Sequence, residues 1–418
     1  MALGIDRLPA NAVVRGRTAS RQVDATLGPA DHNRDEVASR LYTELSNSIR
    51  EQASSSSRCA ITLSGGLDSR AILGCAMAAK VPDIRTFTFG SPDCADVVYA
   101  RELARRCGVP HTVVPISGDY LERWLEYGVF VTGGMMNCIH FHILSLADTL
   151  GAEADVVLDG LGGDALTGGH LKHRMINARS ADDAMRLLFN QRATGFRSLS
   201  ELRELFEPGF FPEDIGEPID WLRPLFAEHK NDPPWYACHA FDLRERQRRF
   251  IQFGPHLLRP FVDVQTPFYY PPLYDYLAGI RDPGVLMNQR AYLEFHRKHL
   301  ADLAAVPDAT RGVPIAWPDS VRFAKRVFDY GVRRLPGAFR RPLSGRSPSP
   351  TNYNEWFRTL LADLVKDRLL DAGSPLVGIV RRPRMESLVA GHMSGERDDA
   401  VKIGLLLTLD TWLRMLNK

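Results

Sequence analysis

The chain has 418 residues, with 52 Lys and Arg against 50 Asp and Glu, a pI near 8.2 and 44% hydrophobic residues. That balance argues against a nucleic-acid or strongly acidic partner, and the apolar content supports one large or two medium domains. Six scattered cysteines with no Cys-x-x-Cys pair fit a reduced compartment and offer no metal site. No run approaches the ~20 apolar residues of a membrane span, so a soluble cytoplasmic protein is the expectation.

Residues 1–33 are polar with weak periodicity. The run from Leu8 to Val14 reads as one strand, with a disordered leader as the alternative. Residues 35–52 place Val37, Leu41, Leu45 and Ile49 four apart, which predicts an amphipathic helix. A serine link at 54–57 follows. Apolar runs at 59–63, 84–89, 111–116 and 155–158 read as strands. Between them lie helical stretches at 69–80, 95–107 and 120–150. Strands alternating with helices predict an α/β fold, a doubly wound parallel sheet with helices on both faces. From residue 171 onward leucines and aromatics recur at helical spacing, so 34–170 reads as the α/β core and 171–418 as a helical lobe. Residues 321–349 carry Arg322, Arg326, Arg333, Arg334, Arg340, Arg341 and Arg346. A solvated helix and loop explains them; a clamp for a phosphate-bearing or acidic substrate is the sharper alternative.

The first strand runs into Ser64-Gly65-Gly66-Leu67-Asp68-Ser69-Arg70, a glycine-rich turn opening a helix. Such a turn offers unpaired N–H groups and the positive end of the helix dipole to an anion. Asp68 should repel a phosphate, and a magnesium ion between the two is the simplest reason for it. The segment lacks a Walker ending, and a plain capped strand-to-helix turn is the competing reading. A second glycine-rich acidic loop, Asp159-Gly160-Leu161-Gly162-Gly163-Asp164, follows the fourth strand run. Both loops leave strand ends, so the expected sheet can bring them to one crevice. His140 and His142 invite a metal reading, but their spacing puts them on different sides of a helix and no third ligand is near.

The first loop resembles the pyrophosphate loop of the asparagine synthetase family, whose members cleave ATP between the α and β phosphates. Thr86–Gly90 with Asp96 is similar to that family's second strand and helix. Residues 158–169 are similar to its second signature, and Arg259-Pro260-Phe261-Val262-Asp263 resembles a later helical-domain motif. The resemblance spans residues 34–310. It implies a sheet of the adenine-nucleotide alpha-hydrolase type and an ATP-dependent amide ligase that adenylates a carboxylate, releasing AMP and pyrophosphate. It implies that Ser64, Gly65, Gly66 and Ser69 hold the pyrophosphate. Leu63, Phe89 and Gly160 would frame the adenosine, with Asp159, Gly162 and Gly163 completing the second loop. Asp68 and Asp164 would be the catalytic carboxylates and the Mg2+ ligands. For Asp164 a helix cap is an equal alternative, and Phe89 is equally at home as core.

Three departures stand out. Leu161 occupies a position where the family has glutamate, and Ala165 follows Asp164 where the family has Asp-Glu. The family's Arg-x-Lys segment falls near Arg311-Gly312-Val313, leaving Arg311 as the substitute charge. Full-length members begin with a glutaminase domain whose nucleophilic cysteine follows the initiator; Ala2 stands there, so no glutamine hydrolysis is expected. The expected partners are a small-molecule or peptide carboxylate and a separate ammonia or amine donor protein, with no nucleic acid and no membrane. β-Lactam-type or lasso-peptide ring closure, a non-catalytic nucleotide-binding partner and a tRNA-modifying enzyme remain alternatives.

Overall fold

The computed structural model describes residues 12–15, 18–21, 33–54, 56–332 and 350–417. Strand β1 (Ala12–Arg15) pairs antiparallel with β2 (Thr18–Arg21), so the strand expected at 8–14 begins within the described residues at Ala12. Residues 8–11, Ala2 and the arginines from Arg333 to Arg346 lie outside them.

The main sheet has five strands, all parallel: β3 (Cys59–Thr62), β4 (Ile84–Phe89), β5 (His111–Val114), β6 (Val156–Leu158) and β7 (Asp263–Gln265), in the order β5-β4-β3-β6-β7. Side chains alternate between its faces. Cys59, Ile61, Val156 and Leu158 join one apolar core with α1 (Arg34–Ala53) and α2 (Leu67–Ala78). Ala60, Phe87, Val157 and Val264 join a second core with α4 (Tyr120–Thr132) and the helix Ala400–Leu416. The predicted stripe on α1 is buried in full: Val37, Leu41, Leu45 and Ile49 all face the first core. The helix α3 (Ala95–Cys107) stops at Gly108, whose φ of 68° is a left-handed cap. No helix among the described residues is long and apolar enough to cross a membrane.

Two elements differ from expectation. The helical stretch at 120–150 is broken: α4 ends at Gly133 and Gly134, with φ of 59° and 67°. A 3-10 segment, Cys138–Leu146, and a short helix α5 (Ala147–Glu153) follow. The second difference is β7, a strand within the stretch read as a helical lobe and next to the residues likened to a helical-domain motif. Three residues after Pro260 are too short to show a period of two. They become a strand because β6 has an open edge, against which Val264 pairs with Val157 and buries its side chain.

Candidate functional site

Strand β3 has β4 on one side and β6 on the other, so the chain winds outward in both directions from the β3–β6 gap. That gap is the switch point where parallel sheets open a crevice at their carboxyl edge. The first loop leaves β3 there and the second leaves β6.

The first loop is held by its own hydroxyls. Ser69 Oγ accepts from the Ser64 N–H at 3.0 Å and donates to the Ser64 carbonyl at 3.2 Å, and the Gly66 N–H donates to Ser64 Oγ at 3.2 Å. Gly65 N–H donates to Asp96 Oδ1 at 3.2 Å, and Thr88 Oγ1 donates to the Leu63 carbonyl. Gly66 is the N-cap of α2 and no side chain closes that helix end. The first-turn N–H groups therefore keep the anion-binding character expected of them.

Behind the loop, Arg70 is fully buried. Its guanidinium donates to the carbonyls of Leu303 (3.1 Å), Val306 (2.7 Å), Pro307 (2.7 Å) and Gly65 (3.1 Å). Ala309 N–H also donates to the Gly65 carbonyl, at 2.9 Å. Burial pushes the Arg70 pKa down to about 10, which leaves it charged at neutral pH. The segment it grips leads into Asp308, whose carboxylate accepts from the Arg311 N–H at 2.7 Å and from Arg322 at 3.3 Å.

In the second loop, Asp159 is consumed by structure, accepting from the Thr62 hydroxyl at 3.1 Å and the Leu161 N–H at 2.9 Å. Gly162 turns the chain with φ of 93°. The turn carries the backbone against Asp68: the Asp164 N–H donates to Asp68 Oδ2 at 3.0 Å. A Cβ on Gly163 would lie 2.5 Å from the Asp68 carboxyl carbon, so only glycine allows that approach.

Two residues that the sequence did not single out complete the arrangement. Tyr292 donates its hydroxyl to Asp68 Oδ1 at 3.0 Å, and Gln289 Nε2 donates to Asp164 Oδ1 at 3.3 Å. Both come from the start of the helix Arg290–His299. The one local sign is backbone geometry, with Asn288 and Gln289 both at positive φ (56° and 58°). Nothing in the residue pattern distinguishes that helix from any other amphipathic one.

Burial and the neighbouring Asp164 push the Asp68 pKa up to about 7, against the hydrogen bonds from Tyr292 and Asp164. Burial also raises Asp164 and Asp159. Two partly desolvated carboxylates on one cavity, the charge of one felt by the other, are a donor set suited to a cation. Among the described residues no group of three or more His, Cys, Asp or Glu forms a self-sufficient metal site. Magnesium suits the arrangement all the same, because it is ordinarily held by one or two carboxylates plus phosphate oxygens and water. Asp68 and Asp164 are the residues that would hold it.

These groups surround a cavity of about 990 Å³. Leu63, Ser64, Gly66, Asp68, Ser69, Phe89, Asp159, Gly160, Asp164 and Arg311 line it; Gly65, Gly162 and Gly163 lie behind its surface. Most of the site residues expected from sequence thus line one cavity, although Arg311 is far from the loops in the chain. The cavity has two unlike ends. One is cationic, with Lys172, Arg311 and Arg326 lining it near Asp164. The other is apolar and aromatic, with Phe89, Met136, Ile143 and Leu146. His140 and His142 line that second end together, which corrects the expectation that they face different sides of a helix. The segment is 3-10, and its rings turn to one cavity, 6.5 Å apart. Burial pushes the His140 pKa down to about 4 and lowers His142, so neither is a cation at neutral pH.

The asparagine synthase family model matches residues 40–249, half of the chain. The chain belongs to the asparagine synthase family. The doubly wound α/β sheet is the fold expected of this family of ATP-dependent amide ligases. The matched span contains both loops, Lys172 and the residues of the apolar end. Among solved structures, NMN synthetase from Francisella tularensis is similar at 19% identity with a TM-score of 0.25, over 34% of this chain and 60% of that one. The chain therefore spans less than two thirds of that neighbour's length. No curated protein matches. Of the departures from the asparagine synthase pattern, Leu161 lines the cavity and Ala165 is buried beside it.

Proposed function

We propose that this chain is an ATP-dependent amide ligase that adenylates a carboxylate and passes the acyl group to ammonia or an amine. The observation that carries the reading is the meeting of the two loops, with the Asp164 N–H on the Asp68 carboxylate at the sheet's switch point. In this reading a carboxylate oxygen attacks the α-phosphorus, the bond to the β-phosphate breaks and pyrophosphate leaves. The nitrogen of the acceptor then attacks the acyl carbon, AMP leaves and the amine loses a proton. Ser64, Ser69 and the open first turn of α2 hold the departing pyrophosphate. Lys172, Arg311 and Arg326 draw the carboxylate to the cationic end and offset charge on the phosphoryl oxygens. Asp68 and Asp164 would hold magnesium, which when bound would add to the neutralisation of the phosphates. Phe89 and its apolar neighbours take the nucleoside.

Leu161 favours one form of this reading over another. A leucine on the cavity wall can neither accept a proton nor pair with an amino group. This supports an acceptor that is part of a larger molecule, as in β-lactam-type or lasso-peptide ring closure, rather than free ammonia from a separate donor protein. A non-catalytic role fits less well, since both carboxylates and the cationic end persist around one cavity. Incubating the protein with MgATP and candidate carboxylates, small-molecule and peptide, and separating the products tests the reading. AMP and pyrophosphate are expected; ADP and phosphate alone would sink it.

A further inference from the structure

The apolar end of the cavity contains few side chains able to read a base. Of Phe89, Met136, Ile143, Leu146, His140 and His142, only the two imidazoles carry strong hydrogen-bonding groups. The state of His142 follows from its partner. Nδ1 lies 3.3 Å from the Ile139 carbonyl oxygen. A carbonyl only accepts, so Nδ1 carries the proton, and in a neutral ring Nε2 is then a lone-pair acceptor. Burial keeps the ring neutral.

No described residue donates to Nε2, and that nitrogen is not sealed within the protein. The ring is also fixed in place, packed at 45° against Phe89 with centroids 5.2 Å apart. Phe89 ends β4, the strand beside the one that carries the first loop. The end of the cavity next to the phosphate-binding loop thus offers one oriented acceptor in apolar surroundings.

An acceptor there discriminates among purines. Adenine presents an amino donor at its six position, whereas a 6-oxopurine presents a second acceptor. We propose that His142 Nε2 accepts a hydrogen bond from the 6-amino group of adenine and sets the preference of this site for adenine over 6-oxopurine nucleotides. This rests on the ligase reading above, in which the cavity takes a nucleoside triphosphate. A site that hydrogen-bonds one group rejects the analogue that leaves the buried partner unpaired.

Calorimetric titration with ATP and inosine triphosphate in the presence of magnesium tests the inference without turnover. Wild-type protein should bind ATP about tenfold more tightly, the size of one buried hydrogen bond. In His142→Leu the two affinities should come within about twofold, and His142→Gln, whose amide oxygen can accept in place of Nε2, should recover most of the preference. A His142→Leu protein that melts like wild type and retains the full preference overturns the inference and leaves the nucleotide reading standing. Wild-type protein that binds neither nucleotide removes that reading, and the inference with it. If His142→Leu does not fold, purine riboside triphosphate, which lacks the amino group, decides the matter on wild type. Affinity equal to that of ATP overturns the inference, and a loss of about tenfold supports it.

Discussion

Asp68 is desolvated by burial, holds two hydrogen bonds and feels the charge of a second carboxylate, and all three govern its titration. Its folded pKa of about 7 lies above the value near 4 of an unfolded chain. Between those values the native state binds more proton than the unfolded state, so the stabilising contribution is complete below pH 4 and is lost as pH rises through 7. Metal-free protein should therefore lose on the order of 2 kcal/mol between pH 5 and pH 8 through this group alone. Asp68→Asn should remove that loss, so the difference between wild-type and variant urea midpoints should depend on pH. A constant difference would show that Asp68 is not perturbed. The same substitution should abolish magnesium-dependent ATP–pyrophosphate exchange, as should Asp164→Asn. Their effects should fall well short of additive, since either change disrupts the same pair. Gly163→Ala tests the close approach from the other side. A methyl placed 2.5 Å from the Asp68 carboxyl carbon forces one loop to move, and exchange should fall about 100-fold. A fully active Gly163→Ala enzyme would show that the contact between the loops is not needed.

Among the elements, the segment 303–311 depends most on a single side chain. Arg70 satisfies four carbonyls from inside the protein. Replacing it with methionine removes all four bonds; Gly65 and Leu303 keep the N–H groups of Ala309 and Val306 as partners, but the Val306 and Pro307 carbonyls lose the guanidinium inside the protein, which should cost about 3 kcal/mol. Lysine keeps the charge but cannot span the four acceptors, so Arg70→Lys should sit between the two in a chemical melt. Equal stability of wild type and Arg70→Met would show that the carbonyls find other partners. This staple marks where sequence reading stops. Strands β3 to β6, the first helix and both glycine-rich loops are legible because their signals are local: short apolar runs such as 84–89, four-residue spacing in α1, glycine at a strand end. In the sequence Arg70 is only the last letter of a loop motif, because three of its four partners lie more than 230 positions away. Tyr292 and Gln289 were silent for the same reason. The 3-10 geometry that turns His140 and His142 to one cavity follows from the interruption at Gly133 and Gly134, and two histidines two apart say nothing of it.

At the scale of the molecule, the cavity is lined from Thr62 to Thr351, so a ligand bridges loops from much of the chain. A ligand that binds only the folded state stabilises it by about 2.7 kcal/mol at a hundred times its dissociation constant. A non-hydrolysable ATP analogue with magnesium should raise the melting temperature by several degrees. It should also slow amide exchange in the first turn of α2 and in residues 303–311 together, because Arg70 ties them. Protection confined to α2 would show that the two segments respond separately.

The late position of β7 has a consequence for how the protein is made. Until Asp263–Gln265 is synthesised, β6 presents an unpaired apolar edge to its surroundings. Ribosomes add roughly 5 to 20 residues per second, so the 105 residues from Leu158 to Asp263 hold that edge open for roughly 5 to 20 s. An exposed edge invites pairing with a neighbouring nascent chain. Messages loaded with closely spaced ribosomes should then yield more insoluble product than sparsely loaded ones, and a stop codon placed before residue 263 should yield aggregate rather than a smaller soluble domain.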